Sequence, residues 1–381
     1  MLITTSAELV RFCDALAEAP YIAVDTEFMR EKRYYSQLCL VQVAYGEHAA
    51  AIDPFANISM APLRDLLCNP KITKVFHAAS QDLEIFFHRI GQVPTPIFDT
   101  QIAAAVCGLG EQPGYARLVS AMLGIHVDKS SQATDWSIRP LTEQQLSYAL
   151  SDVTHLCKVY EKMVAQLTES GRTEWVREEL ASLEDASRYT IDPAEAWRRV
   201  RIRNAKSKVL VVLKELAMWR EQEAMKRDTP RGWIVRDDAM LEIARNLPKN
   251  AEALARVRNL SHSTARGPDG KAMLAAMNRG LKSPEDTWPA PLKSGSKPTG
   301  HEPLVALLQA LLQLRCSTHG VATSLIARRA DLDRLATEKN PDIDALRGWR
   351  RDVFGADALE LLAGRLALTG QDGAVVDAPL S

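Results

Sequence analysis

Across residues 1–170, short β-branched runs alternate with stretches of helical period, the pattern of an α/β domain. Tyr21-Ile-Ala-Val-Asp-Thr-Glu-Phe28 and Leu38-Cys-Leu-Val-Gln-Val-Ala-Tyr45 read as strands, with His48–Ile52 a third, and the connections are short enough for hairpins. Lys74–His77 reads as a fourth strand feeding a helix over Gln81–Arg89, and Pro96–Asp99 as a fifth leading into Thr100–Val106. Ser6 caps a first amphipathic helix to about Glu18, and from Thr142, with Glu143 in the first turn, an amphipathic pattern runs to about Leu167. The expected architecture is a mixed sheet flanked by helices. Past Asp185 the strand signals stop. After a connector over 171–204, helical spacing at Val209, Leu213, Leu216 and Ala217, broken at Thr229–Gly232 and Pro248, predicts a compact helical domain over 205–282. Residues 283–300, with four prolines, predict a linker; 301–370 predict a second small helical domain, with an internal repeat left open, and 371–381 a loose tail.

A chain of 381 residues, 46% hydrophobic and 25% charged, has the composition of ordinary folded domains and length for two or three of them. Its apolar runs, such as Val209–Leu213, fall far short of the ~20 residues a spanning helix needs, and no basic stub with an apolar core follows Met1. A membrane protein is therefore excluded and the expected location is the cytoplasm. The six cysteines form no C-x-x-C pair, so neither a zinc knuckle nor a redox motif is suggested. No G-x-x-x-x-G-K-[ST] occurs, which removes an ATP site. The near-zero net charge conceals an asymmetry: residues 1–194 carry net −9, residues 195–282 net +10 and residues 283–381 net −2.

The chemistry is concentrated in carboxylates. Asp25 and Glu27 end an apolar strand and, two apart, project from one face. Paired acids beside a sheet interior are either a strand end emerging into solvent or a site that a proton or cation neutralises. Asp82 sits in the first turn of a helix, where the dipole favours an acid by ~0.3–1 kcal/mol, and also where open α/β sheets gather ligands. Tyr148 and Asp152, four apart, share one helix face, as a packing pair or as a functional one. The four acids together match the charge of two divalent cations, which in such clusters stabilise an in-line phosphoryl displacement; oxygen-only ligands favour Mg²⁺ or Mn²⁺.

In this combination the sequence resembles the DEDD exonucleases of the ribonuclease H-like fold. Val24–Phe28 looks like the first exonuclease motif, His77-Ala-Ala-Ser-Gln-Asp82 the second, and Tyr148-Ala-Leu-Ser-Asp152 the third in its Tyr form; the His form would place His where Ser147 stands. Asp135-Trp-Ser-Ile-Arg-Pro-Leu141 and Phe98-Asp-Thr-Gln-Ile102 resemble signatures of the ribonuclease D branch, and 205–282 resembles the HRDC domain shared with RecQ helicases, with 301–370 a more diverged second copy. The resemblance implies Asp25, Glu27, Asp82 and Asp152 as metal ligands, Tyr148 as the group orienting the attacking water, and Asp99 in a supporting or helix-capping role. It implies a metal-dependent 3′-to-5′ exoribonuclease that releases 5′-mononucleotides and trims precursor tRNA ends.

Charge supports the same reading independently. Arg198, Arg199, Arg201, Arg203, Lys206 and Lys208 form a cluster suited to phosphates, although a basic helical domain can simply present a solvated face. An acidic metal-gathering domain repels a polyanion, and a basic neighbour would capture it. No obligate protein partner is evident. The rivals are a DNA proofreading exonuclease, separable by competing RNA and DNA oligonucleotides, and a non-catalytic RNA-binding scaffold, separable by metal titration.

Overall fold

Leu38–Ala44 is apolar on both faces of its strand except at Gln42, a composition that demands cover on both sides. In the computed structural model, which describes residues 1–128, 130–132, 134–292 and 300–379, every residue of that run is buried. It lies within a six-stranded sheet formed by β1 (Leu2–Ile3), β2 (Tyr21–Met29), β3 (Gln37–Tyr45), β4 (His48–Ile52), β5 (Thr73–Phe76) and β6 (Ile97–Asp99), ordered β1-β4-β3-β2-β5-β6. β3 and β4 pair antiparallel with Tyr45 opposite His48, while β1–β4, β2–β5 and β5–β6 pair parallel, giving the expected mixed sheet. β1 has no counterpart among the expected strands, since two residues carry no alternation; Ile3 is nevertheless fully buried beside Ile52. Thr5, rather than Ser6, caps the helix Ser6–Ala15 through a capping box with Glu8, whereas Thr142 caps Glu143–Glu169 as expected, with Gln145 completing the box.

The chain divides into two compact units: residues 1–27, 39–186 and 296–381, and residues 28–38 with 187–295. In the first, the helices Glu302–His319, Thr323–Ile326 and Arg329–Thr337 build a small core of their own against which Trp175 packs, its ring stacked on Trp349 at 4.5 Å and 9°. Arg172 donates to the carbonyls of Val106 at 3.0 Å and Gly320 at 3.4 Å, and the Ala322 amide donates to Ala105 O at 3.1 Å. The C-terminal residues, expected to be loose, form an antiparallel hairpin of β7 (Leu366–Gln371) and β8 (Ala374–Pro379), turned at Asp372-Gly373 with both residues at positive φ. Asp-Gly between β-branched runs was the available signal.

In the second unit the helix Ser207–Arg227 packs centrally against Pro268–Lys282 and Asp237–Asn246. Asp228 ends that helix at φ 46° and accepts the amides of Tyr34 and Tyr35 at 3.1 Å each, so residues 28–38 fold into this unit. Part of the expected linker 283–300 is ordered here, with Trp288 donating to Ser283 O at 3.1 Å and Ala205 bridging to Leu292; residues 293–299 of that linker lie outside the described residues. Among the described residues, no helix is long and apolar enough to cross a membrane.

Trp349 is 5% exposed. Trp349→Ala should cost about 3–5 kcal/mol in urea denaturation of the chain. A loss under about 1 kcal/mol would contradict the role of the stacked pair as the pin of this C-terminal region.

Candidate active site

β2 is buried from Tyr21 to Val24 and emerges only at its last residues, so Asp25 and Glu27 stand where the strand leaves the core. The long helix Glu143–Glu169 brings Asp152 to the same place, and carboxylate oxygens of Asp25, Glu27 and Asp152 lie within 4.8 Å of one another. Asp82 is not within that trio. It is 7% exposed in the first turn of the helix Ser80–Ile90, close enough to raise the pKa of Glu27, and its Oδ1 accepts from the Thr26 hydroxyl. Tyr148 sits half-buried one turn before Asp152.

Acids crowded out of water resist ionisation. Burial, then the neighbouring Asp25, Asp152 and Asp82, push Glu27 up to about 9. Burial, then Asp25, push Asp152 up to about 8 against the opposing pull of Tyr148. Burial lifts Asp25 to about 6 and raises Asp82 well above the usual carboxylate range. The Tyr148 hydroxyl is raised first by burial and next by Asp152, so it stays protonated. Asp152 Oδ1 is buried with no hydrogen-bond partner. A set of carboxylate oxygens this close, one of them orphaned, fits a hard divalent cation, which would supply the missing charge.

Supporting residues complete the arrangement. Asp99 caps the helix Thr100–Val106 by accepting the Gln101 amide at 2.8 Å, and also accepts the amides of Ala78 at 3.0 Å and Ala79 at 2.8 Å. Ala78 is at φ 59°, an uncommon conformation for a residue with a Cβ, and these bonds hold the turn that starts the Asp82 helix. Asp99 therefore has the capping role expected of it. Trp136, 2% exposed, packs on Tyr148 with ring centroids 6.1 Å apart, and its segment is anchored where Arg139 clasps Asp53 at 2.7 and 2.8 Å. Thr26, Trp136 and Tyr115, whose hydroxyl donates to the Asp152 carbonyl, were not singled out from sequence. For Trp136 a signal existed, its place in the 135–141 segment; for Thr26 and Tyr115 the partner is set by helix docking alone. The six basic residues proposed to meet phosphate, Arg198, Arg199, Arg201, Arg203, Lys206 and Lys208, are all exposed in the second unit; Arg198 is paired with Glu195, and Arg199 lies 3.5 Å from Glu221.

Comparison with known proteins bears on the fold and the family. A family profile described as a 3′-5′ exonuclease matches residues 1–168, and the HRDC domain profile matches residues 209–277. The chain is 45% identical to ribonuclease D of Granulibacter bethesdensis, covering 98% of this chain and 94% of that one, and 46% identical to ribonuclease D of Acidiphilium cryptum, covering 100% and 97%. The crystal structure of Escherichia coli RNase D, an exoribonuclease involved in structured RNA processing, superposes with a TM-score of 0.83 at 34% identity over 96% of this chain and 98% of that one.

Between pH 4.5 and about 9 the folded chain keeps a proton on Glu27 that the unfolded chain has lost, so this residue's contribution to stability falls as pH rises through that window. In chelator, Glu27→Gln should therefore flatten the fall in melting temperature between pH 6 and pH 8.5. A variant that melts with the wild-type pH slope would show that Glu27 carries no such proton.

Proposed function

The chain belongs to the ribonuclease D family and is a metal-dependent 3′-5′ exoribonuclease, and we propose that it trims 3′ ends of precursor tRNA in the cytoplasm, one nucleotide at a time. The observation that carries the assignment of the centre is the convergence of Asp25, Glu27 and Asp152 within 4.8 Å, with Asp82 buried alongside. In this reading these four residues hold two divalent cations, Mg²⁺ or Mn²⁺. Bound there, such ions neutralise the acids, acidify water and offset charge on the leaving oxygen. Tyr148, protonated, hydrogen-bonds the attacking water and aims it at the terminal phosphodiester. Trp136 fixes the Tyr148 ring and Thr26 fixes Asp82, so both are positioned before substrate arrives. Water attacks phosphorus, the bond from phosphorus to the 3′ oxygen breaks, and a 5′-mononucleotide departs, leaving a new 3′ hydroxyl on the shortened RNA.

The exposed Arg201, Arg203, Lys206 and Lys208, with Arg198 and Arg199, supply the capture surface in this reading, each neutralised phosphate releasing counterions. Residues 301–370 are read as a diverged second copy of the HRDC-like domain at 205–282. What supports this is a shared succession of elements: Ser207–Arg227, Arg231–Ile234 and Asp237–Asn246 recur after the same intervals as Glu302–His319, Thr323–Ile326 and Arg329–Thr337.

Asp25→Asn or Asp152→Asn should lower turnover of end-labelled RNA by at least ~10³-fold with an unchanged circular dichroism spectrum, as should excess chelator on the wild type. Near-normal hydrolysis by either variant would refute the assignment. Tyr148→Phe should cost roughly 10²-fold in kcat with little change in KM. Neutralising Arg201, Arg203, Lys206 and Lys208 together should shallow the dependence of log affinity on log salt by about 0.7 for each phosphate that is no longer neutralised, and an unaltered slope would remove this cluster from substrate capture.

A further inference from the structure

In the second unit a cavity of about 440 Å³ is walled by the 3₁₀ helix Pro193–Arg199, the helix Ser207–Arg227 and the short helix Arg231–Ile234. That volume falls in the ~300–1,000 Å³ range of small-ligand sites. Four arginines line it, Arg199, Arg220, Arg231 and Arg236, against two acids, Glu221 and Asp237, so positive charge is in excess. The wall is built rather than incidental. Glu221 is 1% exposed and accepts Arg231 Nε at 2.8 and 2.9 Å, with Arg199 Nη1 at 3.5 Å, so one buried acid holds two guanidinium groups at the lining. Arg220 is 5% exposed; its Nη1 donates to Val235 O at 3.1 Å and to Asp237 at 2.5 Å, while its Nε is buried with no partner. A buried guanidinium answered only by a carbonyl and a half-exposed acid is under-compensated in charge, and an oxyanion in the cavity would supply the missing charge.

Two further observations narrow the ligand. Trp233 follows the lining residue Gly232 and is 64% exposed. Trp233 is not itself a lining residue, but a bare indole one residue along the chain from an arginine-lined cavity offers the pairing that single-stranded nucleic acids use, phosphate on cation and base on ring. The second copy then acts as an internal control. Aligned by their helix ends, its counterparts of Arg220, Glu221, Arg231, Trp233 and Arg236 are Leu312, Gln313, Thr323, Leu325 and Arg328, and Leu312 is buried at 1%. The helical fold therefore accommodates leucine where Arg220 stands and threonine where Arg231 stands, so neither of these two arginines is a requirement of packing.

We propose that the Arg199–Arg220–Arg231–Arg236 cavity binds a backbone phosphate of single-stranded RNA while Trp233 stacks an adjacent base. The proposal rests on the reading of RNA as substrate, and assigns a subsite between the connector and the first helical domain, distinct from the exposed run at 198–208, with which it shares only Arg199.

The test uses the full chain in excess chelator, so that binding is read without cleavage, with anisotropy of a labelled single-stranded RNA oligonucleotide across a salt series. Arg220→Leu, the side chain the second copy accepts, and Arg236→Gln should each weaken RNA about tenfold and shallow the log–log salt slope by about 0.7. Trp233→Ala should weaken it about tenfold with the slope retained. Arg236→Gln and Trp233→Ala alter exposed side chains and keep the test valid should Arg220→Leu lose its circular dichroism signature. Affinity within about twofold of wild type in both exposed variants would overturn the proposal. So would a free nucleoside 5′-monophosphate that binds with arginine dependence while RNA does not, since the cavity would then serve a mononucleotide. Failure of the exoribonuclease reading itself would look different: the wild-type chain with Mg²⁺ or Mn²⁺ would leave the labelled RNA uncut, whatever the variants bind.

Discussion

Buried negative charge organises the first unit. Three carboxylates whose oxygens approach within 4.8 Å, with Asp82 beside them, form an arrangement that water alone would disperse, and the raised pKa values of Glu27 and Asp152 record that cost. It persists because each acid is mounted on an element stabilised elsewhere. β2 is held between β3 and β5, the Asp152 helix is 27 residues long with a capping box, and the Asp82 helix starts from a turn that Asp99 secures. Local instability at the acids is thus carried by a rigid frame, the condition under which a site can be ready for cations before they bind.

The second unit solves the complementary problem. Its positive charge is partly exposed, at 201–208, and partly organised inward, where Glu221 aligns Arg199 and Arg231 beside Arg220. Separating the two signs of charge into different units lets each be built without neutralising the other: cation-binding acids would draw nearby arginines into ion pairs, and phosphate-binding arginines would be quenched by nearby acids. The Arg139–Asp53 clasp shows how readily opposite charges close on each other where both are partly buried.

The C-terminal region illustrates how one helical pattern serves two purposes. Glu302–His319, Thr323–Ile326 and Arg329–Thr337 repeat the succession of the first helical domain, yet two positions that carry lining arginines there, Arg220 and Arg231, are filled by Leu312 and Thr323. Its core instead closes on Trp175 and Trp349, and Arg172 reaches the carbonyls of Val106 and Gly320. Apolar contacts take the place of the arginine-lined cavity, and the region packs within the first unit.

The sequence by itself determined the mixed sheet, the long capped helix and the helical C-terminal half, because each rests on local spacing, period two in strands and 3.6 in helices, whereas the four acids with Tyr148 were named by the resemblance of the motifs that carry them. A supporting or capping role for Asp99 came with that resemblance. Tertiary structure alone decided that Asp25, Glu27 and Asp152 meet closely while Asp82 is held by Thr26, that Trp136 braces Tyr148, that residues 28–38 join the second unit through Asp228, and that Arg220 faces a cavity. None of these has a sequence period. Each depends on how separate elements dock, and docking is set by the summed burial of many side chains rather than by any residue at the contact.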